Sequence, residues 1–174
     1  MNPLLNFFLL IIIASLAIPS LSIAPFAPTR KKDLKRIHTI MNLKKGQKVL
    51  EIGFGDARVS SYLAKNNKES DFIGIELSPI LFIIAKINLF FSHTKNLKLK
   101  LKNAFKEDFK SYDYIYIFGM PDVLKNKLKE KFIKEMKPGA KIISYSFDIE
   151  GWPGKKIKDK PSPEFLSIYI MTKE

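Results

Sequence analysis

The chain contains no cysteine, two histidines (His38 and His93) and one tryptophan. Without thiols there can be no disulfide scaffold, thiolate metal site or cysteine nucleophile, and two histidines are too few for a histidine-rich metal centre. No metal site is expected. Acidic residues are also scarce: 17 Asp and Glu stand against 30 Lys and Arg, a formal net charge of +13. Side-chain charge is missing altogether before Arg30, so residues 30–174 carry the whole excess. Such an excess suits anionic lipid, nucleic acid or an acidic protein, or a lysine-rich solvated surface, since the lysines are spread evenly. The length of 174 residues suits one ordinary domain, and there is no internal repeat or low-complexity segment.

Long apolar runs are present. Leu4 to Ala24, LLNFFLLIIIASLAIPSLSIA, is uncharged and long enough to cross the ~30 Å hydrocarbon core as a helix of roughly 20 residues. It predicts a membrane anchor over residues 1–24. The rival, a cleaved secretory signal, lacks a basic residue before the apolar run and would place Pro25 directly after its best cleavage site. Arg30, Lys31, Lys32, Lys35 and Arg36 follow the run, so the positive-inside rule puts the remainder on the cytoplasmic side or, equivalently, the matrix side of a single-pass protein. Residues 25–29, PFAPT, read as a stiff linker, and residues 30–174 as the domain.

Within that domain, Arg30 to Leu43 has the spacing of an amphipathic helix with a basic outer face suited to anionic lipid. Val49 to Ser60, VLEIGFGDARVS, is an apolar strand running into a glycine turn and then a helix. Gly53 and Gly55 permit positive φ and close backbone approach to a ligand, and Asp56 stands where a helix N-cap belongs. The helix N–H groups should face whatever fills the turn. A second strand, Asp71 to Glu76, ends on a carboxylate about 20 residues past the turn, where an acid can accept bonds from ribose hydroxyls. Pro79 to Phe91 is almost wholly apolar, too short to span a bilayer, and predicts a buried helix; the alternative is that Phe82, Phe90 and Phe91 partly face lipid. Leu97 to Lys102, LKLKLK, alternates as an edge strand should, and Asn103 and Ala104 end it at the same rim as Gly53 and Glu76. Further strands are predicted over Asp113 to Phe118, Ala140 to Phe147 and Phe165 to Met171, with an amphipathic helix after Pro121. This alternation predicts an α/β, doubly wound, mostly parallel sheet. The turn lacks the last glycine of a dinucleotide fingerprint, because Arg58 stands there, and no phosphate-binding P-loop is present.

E-x-G-x-G at Glu51, Gly53 and Gly55, with Glu76 ending the next strand, resembles the class I S-adenosylmethionine-dependent methyltransferases. The resemblance implies a seven-stranded Rossmann-like sheet whose last strand is antiparallel, with a sixth strand around Lys155 to Lys160. It also implies that Glu51, Gly53, Gly55, Asp56, Glu76, Leu77, Asn103 and Ala104 hold the cofactor S-adenosyl-L-methionine. The apolar run, PFAPT, EIGFGDAR, GIELSP, IFGMP and a late Trp152-Pro153 occur in the order seen in the small membrane-anchored protein-lysine methyltransferases, which include enzymes acting on the ATP synthase c-subunit and the adenine nucleotide translocase. Those proteins typically have Tyr where Phe26 stands and DLGSGDGR at the turn.

The expected function is therefore methylation of a lysine on a membrane protein, with a small-molecule or lipid methyltransferase and a non-catalytic membrane-surface module as alternatives. Nucleic acid is not the expected partner. Candidate walls for the acceptor are Phe26, Phe118, Met120, Pro121 and Trp152, because aromatic faces can hold a cationic or methylated amine. No residue stands out as a catalytic base.

Overall fold

β1 (Lys48–Ile52) crosses the middle of a seven-stranded sheet and delivers the chain to the glycine turn. The computed structural model describes residues 4–7, 9–10, 13 and 27–174. The other elements, in chain order, are α1 (Lys31–Met41), α2 (Arg58–Asn66), β2 (Asp71–Glu76), α3 (Pro79–Ser92), β3 (Leu97–Leu101), β4 (Tyr114–Ile117), α4 (Pro121–Val123), α5 (Lys129–Glu135), β5 (Lys141–Tyr145), β6 (Lys156–Asp159) and β7 (Ile168–Thr172). The strand order is β3-β2-β1-β4-β5-β7-β6. β1 to β5 run parallel, whereas β7 is antiparallel to both β5 and β6. The expected sixth strand is β6, and the last strand is antiparallel as expected. Because the order reverses between β1 and β4, a crevice opens outside their carboxyl ends, where doubly wound sheets bind ligands.

Alternation along the strands divides the interior. Val49, Phe72, Tyr114, Tyr116 and Tyr145 face a layer made by α1, α2 and α3. Leu50, Ile52, Ile115, Ile117 and Ile142 face a layer built from Pro121 to Met136. In that second layer Leu124, Leu128, Phe132 and Met136 are all buried. Steps of four residues overshoot the roughly 3.6-residue turn of an α-helix. Leu124–Leu128 forms a π-helical turn between α4 and α5, and this wider turn keeps the stripe on the sheet.

Two expectations change here, and a third lies mostly outside the described residues. α3 is not a buried helix: Leu81 and Ala85 are buried, while Ile83, Ile84, Ile87, Phe90 and Phe91 are exposed. A run that is apolar on every side says nothing about which side faces the core. The strands also end differently, since β5 stops at Tyr145 and β7 begins at Ile168. The membrane-crossing helix expected over residues 1–24 falls mostly outside the described residues. Among those described, no helix is long and apolar enough to cross a membrane.

Candidate functional site

Register gathers the rim. Ile52 lies opposite Ile75 on one side and Ile117 on the other, so Gly53, Glu76 and Phe118 emerge side by side from three adjacent strands. Glu76 pairs with Leu101, which brings Asn103 and Ala104 to the same edge. Gly53 and Gly55 have φ of +70° and +56°, and a Cβ added at Gly53 would meet no atom within 4 Å. The space above the turn is open to a ligand, and a side chain would fill it.

Glu76 is buried, and its carboxylate is fixed by three backbone donors: Gly55 N–H at 3.0 Å to Oε2, and Leu77 N–H at 2.8 Å and Ser78 N–H at 2.9 Å to Oε1. With roughly four lone-pair sites on a carboxylate, these bonds orient it and leave capacity for an incoming hydroxyl. Gly53 N–H and Phe54 N–H donate to Ile75 O at 2.9 and 3.3 Å, clamping the turn to β2. Asn103 Oδ1 accepts from Phe105 N–H at 2.9 Å and holds the turn over Ala104. An open glycine cradle beside a fixed buried acid fits a ligand with a diol at one end and a small polar group at the other.

Glu51 is not exposed to that cradle. It lies buried beneath α2, accepting bonds from Ser60 N–H at 2.9 Å and from the Ser60 hydroxyl. Burial, helped by the nearby Asp56 and Glu76 charges, raises its carboxyl to about 8. Asp56 does not cap α2. Ala57, at φ +59°, occupies the cap position, while Asp56 is gripped by Arg58 Nε at 3.0 and 2.9 Å and by its Nη2 at 2.6 Å. The first-turn amides are occupied too: Arg58 N–H donates to Asp56 at 3.2 Å, and Ser60 N–H to Glu51. Carboxylates already satisfy these two donors, which were expected to face the ligand.

On the opposite lip, Phe118 packs edge-on against Tyr145 at 5.0 Å and tilted against Phe147 at 6.1 Å. Met120 and Pro121 are exposed beside them. Phe147, exposed two residues past the end of β5, gave no signal in the sequence because the predicted strand extended through it. Trp152 does not join this lip. Its Nε1 donates at 3.0 Å to Thr172 O, and Thr172 pairs with Lys141 at the start of β5, the end of the sheet away from the rim. After Tyr145 the loop descends the sheet, so the indole packs in the second core. Asp122, in the first turn of α4, is exposed, and Asp148, in the loop after β5, is held by Lys156 at 2.7 Å. Phe26 lies outside the described residues.

A buried polar network also went unforeseen. Thr29 Oγ1 lies 2.6 Å from Tyr116 Oη, Tyr145 Oη donates to Asp33 at 2.5 Å, and Arg36 meets Asp33 at 2.7 Å. Arg58 Nη1 donates to Thr29 O at 3.3 Å, so the last residue of the expected linker is docked beside the cradle helix. Separations of 87 and 112 residues leave no local signal for these pairs.

The model of the ANTKMT methyltransferase domain matches residues 51–156, which include the glycine turn, Glu76 and the aromatic lip. A protein-lysine N-methyltransferase of Saccharolobus islandicus (strain REY15A) is 28% identical over 151 residues, covering 84% of this chain and 93% of that protein. Among solved structures, an RNA methyltransferase from Salinibacter ruber in complex with S-adenosyl-L-homocysteine superposes with a TM-score of 0.76 at 20% identity, covering 84% of this chain and 93% of that one. A phosphoethanolamine N-methyltransferase 2 of Haemonchus contortus in complex with S-adenosyl-L-methionine gives 0.59 at 20% identity over 68% of this chain and 29% of that one. At such identities the structures share the fold, whatever their substrates. The family match spans more than half of the sequence, and the chain belongs to the ANTKMT methyltransferase-domain family of class I S-adenosylmethionine-dependent methyltransferases.

Proposed function

We propose that this enzyme transfers the methyl group to a lysine side chain of a membrane protein. The observation that carries the cofactor half is the buried Glu76, fixed by three amides next to the open turn at Gly53. Glu76 would accept from the ribose hydroxyls, Gly53 and Gly55 would admit the amino-acid part, and Leu77, Asn103 and Ala104 would flank the adenine. When bound, S-adenosylmethionine supplies an electrophilic methyl group on a sulfonium centre. The protein contributes position and dryness, which can account for much of an in-line displacement.

A lysine nucleophile must be neutral, although its amine ordinarily titrates near 10.4. Phe118, Met120 and Phe147 form an apolar lip that would exclude water from an incoming amine and lower that value by desolvation. Aromatic faces also hold an ammonium group before it loses its proton and a methylated one afterwards. The 28%-identical relative named as a protein-lysine N-methyltransferase supports lysine as the acceptor. The uncharged stretch from Leu4 to Ala24 and the basic residues after it support a membrane-embedded substrate and a single-pass chain with its domain on the cytoplasmic or matrix side.

Calorimetric titration of the full chain in detergent with S-adenosylmethionine should give saturable heat, and Glu76→Ala should weaken binding by ~1–3 kcal/mol. Absence of heat with the unaltered chain would overturn the cofactor site. Membranes incubated with the enzyme and methyl-labelled cofactor should carry label on lysine in a protein; label in solvent-extractable lipid would contradict the acceptor.

A further inference from the structure

The three helices that cover one face of the sheet have an unusual outside. Their one acidic residue, Asp33, is buried, whereas Lys31, Lys32, Lys35, Arg36, Arg58, Lys65 and Lys86 all lie on them. Of these, Arg36 and Arg58 are ion-paired, while Lys31, Lys35, Lys65 and Lys86 are exposed with no carboxylate partner among the described residues.

α3 supplies the apolar part of this surface. Ile83 is 56% exposed, Ile84 43%, Ile87 52%, Phe90 75% and Phe91 73%. The helix presents its largest apolar side chains to the outside and buries Leu81 and Ala85. A helix in contact with water keeps polar residues there, and a contiguous apolar patch rimmed by polar groups marks an interaction surface.

We propose that the outer face of α3 is a lipid-contact surface that inserts into an anionic bilayer and seats the α1–α3 layer against it. The proposal rests on the membrane reading above and names a second contact besides the apolar stretch of residues 4–24. Bilayer is the occupant that matches both halves of the surface: acyl chains for the isoleucines and phenylalanines, anionic headgroups for the unpaired lysines. Lys86 can lay its stem on the neighbouring apolar surface while its ammonium stays among headgroups, and its Nζ already lies 5.8 Å from the Phe82 ring. Thr29, the last residue of the PFAPT segment that follows the apolar stretch, is bonded to Tyr116 on this same face of the sheet. An apolar stretch entering the bilayer ahead of Thr29 would address the same side of the molecule as α3. The two contacts would hold the methyl-transfer rim at a fixed tilt to the membrane, within reach of a lysine just outside it.

The absence of native cysteine makes the test direct. Full chain carrying Ile87→Cys, labelled with an environment-sensitive fluorophore, is reconstituted into mixed phosphatidylcholine and phosphatidylglycerol vesicles. Emission from position 87 should shift to the blue and be quenched by acyl-chain spin labels. The same label at Lys134→Cys, exposed on the far layer, should stay water-like. Adding Phe91→Glu should cut quenching at 87 several-fold, and replacing the anionic lipid with phosphatidylcholine should weaken it. A water-like label at 87 on vesicle-bound chain overturns the α3 contact and leaves the anchor standing; chain that does not sediment with vesicles overturns both. Shielding at 87 without vesicles also overturns the proposal, naming a second copy if it depends on concentration and residues 4–24 if it does not. Calorimetry with S-adenosylmethionine on the Phe91→Glu chain keeps the cofactor site separate, since its binding should be unchanged.

Discussion

The two helical layers treat polar and apolar groups in opposite ways. The layer of α4, the π-helical turn and α5 is conventional: Leu124, Leu128, Phe132 and Met136 face inwards, while Lys125, Lys127, Glu130 and Lys134 face outwards. In the layer of α1 to α3, Asp33, Glu51, Ser60, Ser78 and the Thr29 hydroxyl are buried, and five large apolar side chains of α3 are outside. The first arrangement is what folding alone favours; the second costs stability in water and is explained by what the layer must hold. Inside, it positions the cradle. Outside, in our proposal, it meets lipid.

The largest expected effect tests that contrast directly. Phe132→Ala should destabilise the protein by about 3–5 kcal/mol, because Phe132 is fully buried and stacked on Phe109 at 5.2 Å. Phe91→Ala, the same chemical change on α3, should alter stability in detergent by about 0.5 kcal/mol or less. Denaturant titrations of the two variants decide it. Equal losses would mean that α3 is held against something in the folded chain, and the contrast between the layers would fail.

The next effect probes the buried polar side of the cradle layer. Glu51 titrates near 4.5 unfolded and at about 8 folded, so between these values the native state binds the extra proton. Stability should therefore fall as pH rises from about 4.5 to about 8, by up to about 4 kcal/mol from this group. Glu51→Gln keeps an acceptor for Ser60 and removes the titration. Melting curves across this range should have a smaller pH slope in the variant; an unchanged slope would show that Glu51 is not the group responsible. Tyr145→Phe should cost about 1.5–3 kcal/mol at neutral pH, since it removes a donor from the buried Asp33 carboxylate.

Much of this architecture was legible. Alternating apolar strands and amphipathic helices predicted the parallel sheet, and the acid ending β2 and the glycines ending β1 met where their positions implied. The weak sixth strand was located from the family resemblance rather than from its pattern, because Lys156, Ile157 and Lys158 are all exposed on an edge. The failures have physical causes. α3 had no polar side to orient it. Asp56 had a partner two residues away in Arg58, whose guanidinium holds its carboxylate together with the Arg58 N–H, so Ala57 and not Asp56 takes the cap position. Trp152 follows a rim strand in sequence, but the loop carrying it runs down the sheet before the indole is placed. The Thr29–Tyr116 and Asp33–Tyr145 pairs join residues too far apart for any local pattern to link them.

The smallest effect concerns the turn itself. Ala57 sits at φ +59°, a left-handed conformation that an L-residue with a Cβ adopts at a cost of roughly 1–2 kcal/mol. The related turn DLGSGDGR has glycine at this position, and glycine meets no such penalty, although it loses more freedom on folding. Ala57→Gly should thus stabilise the protein by about 0.5–1 kcal/mol, a modest rise in melting temperature readable by calorimetry. The opposing term is packing, since the Ala57 methyl is fully buried in the cradle-side core. A loss of stability would show that this methyl outweighs the backbone strain, and that the cradle layer, for all its buried polar groups, still depends on close apolar contact beneath the glycine turn.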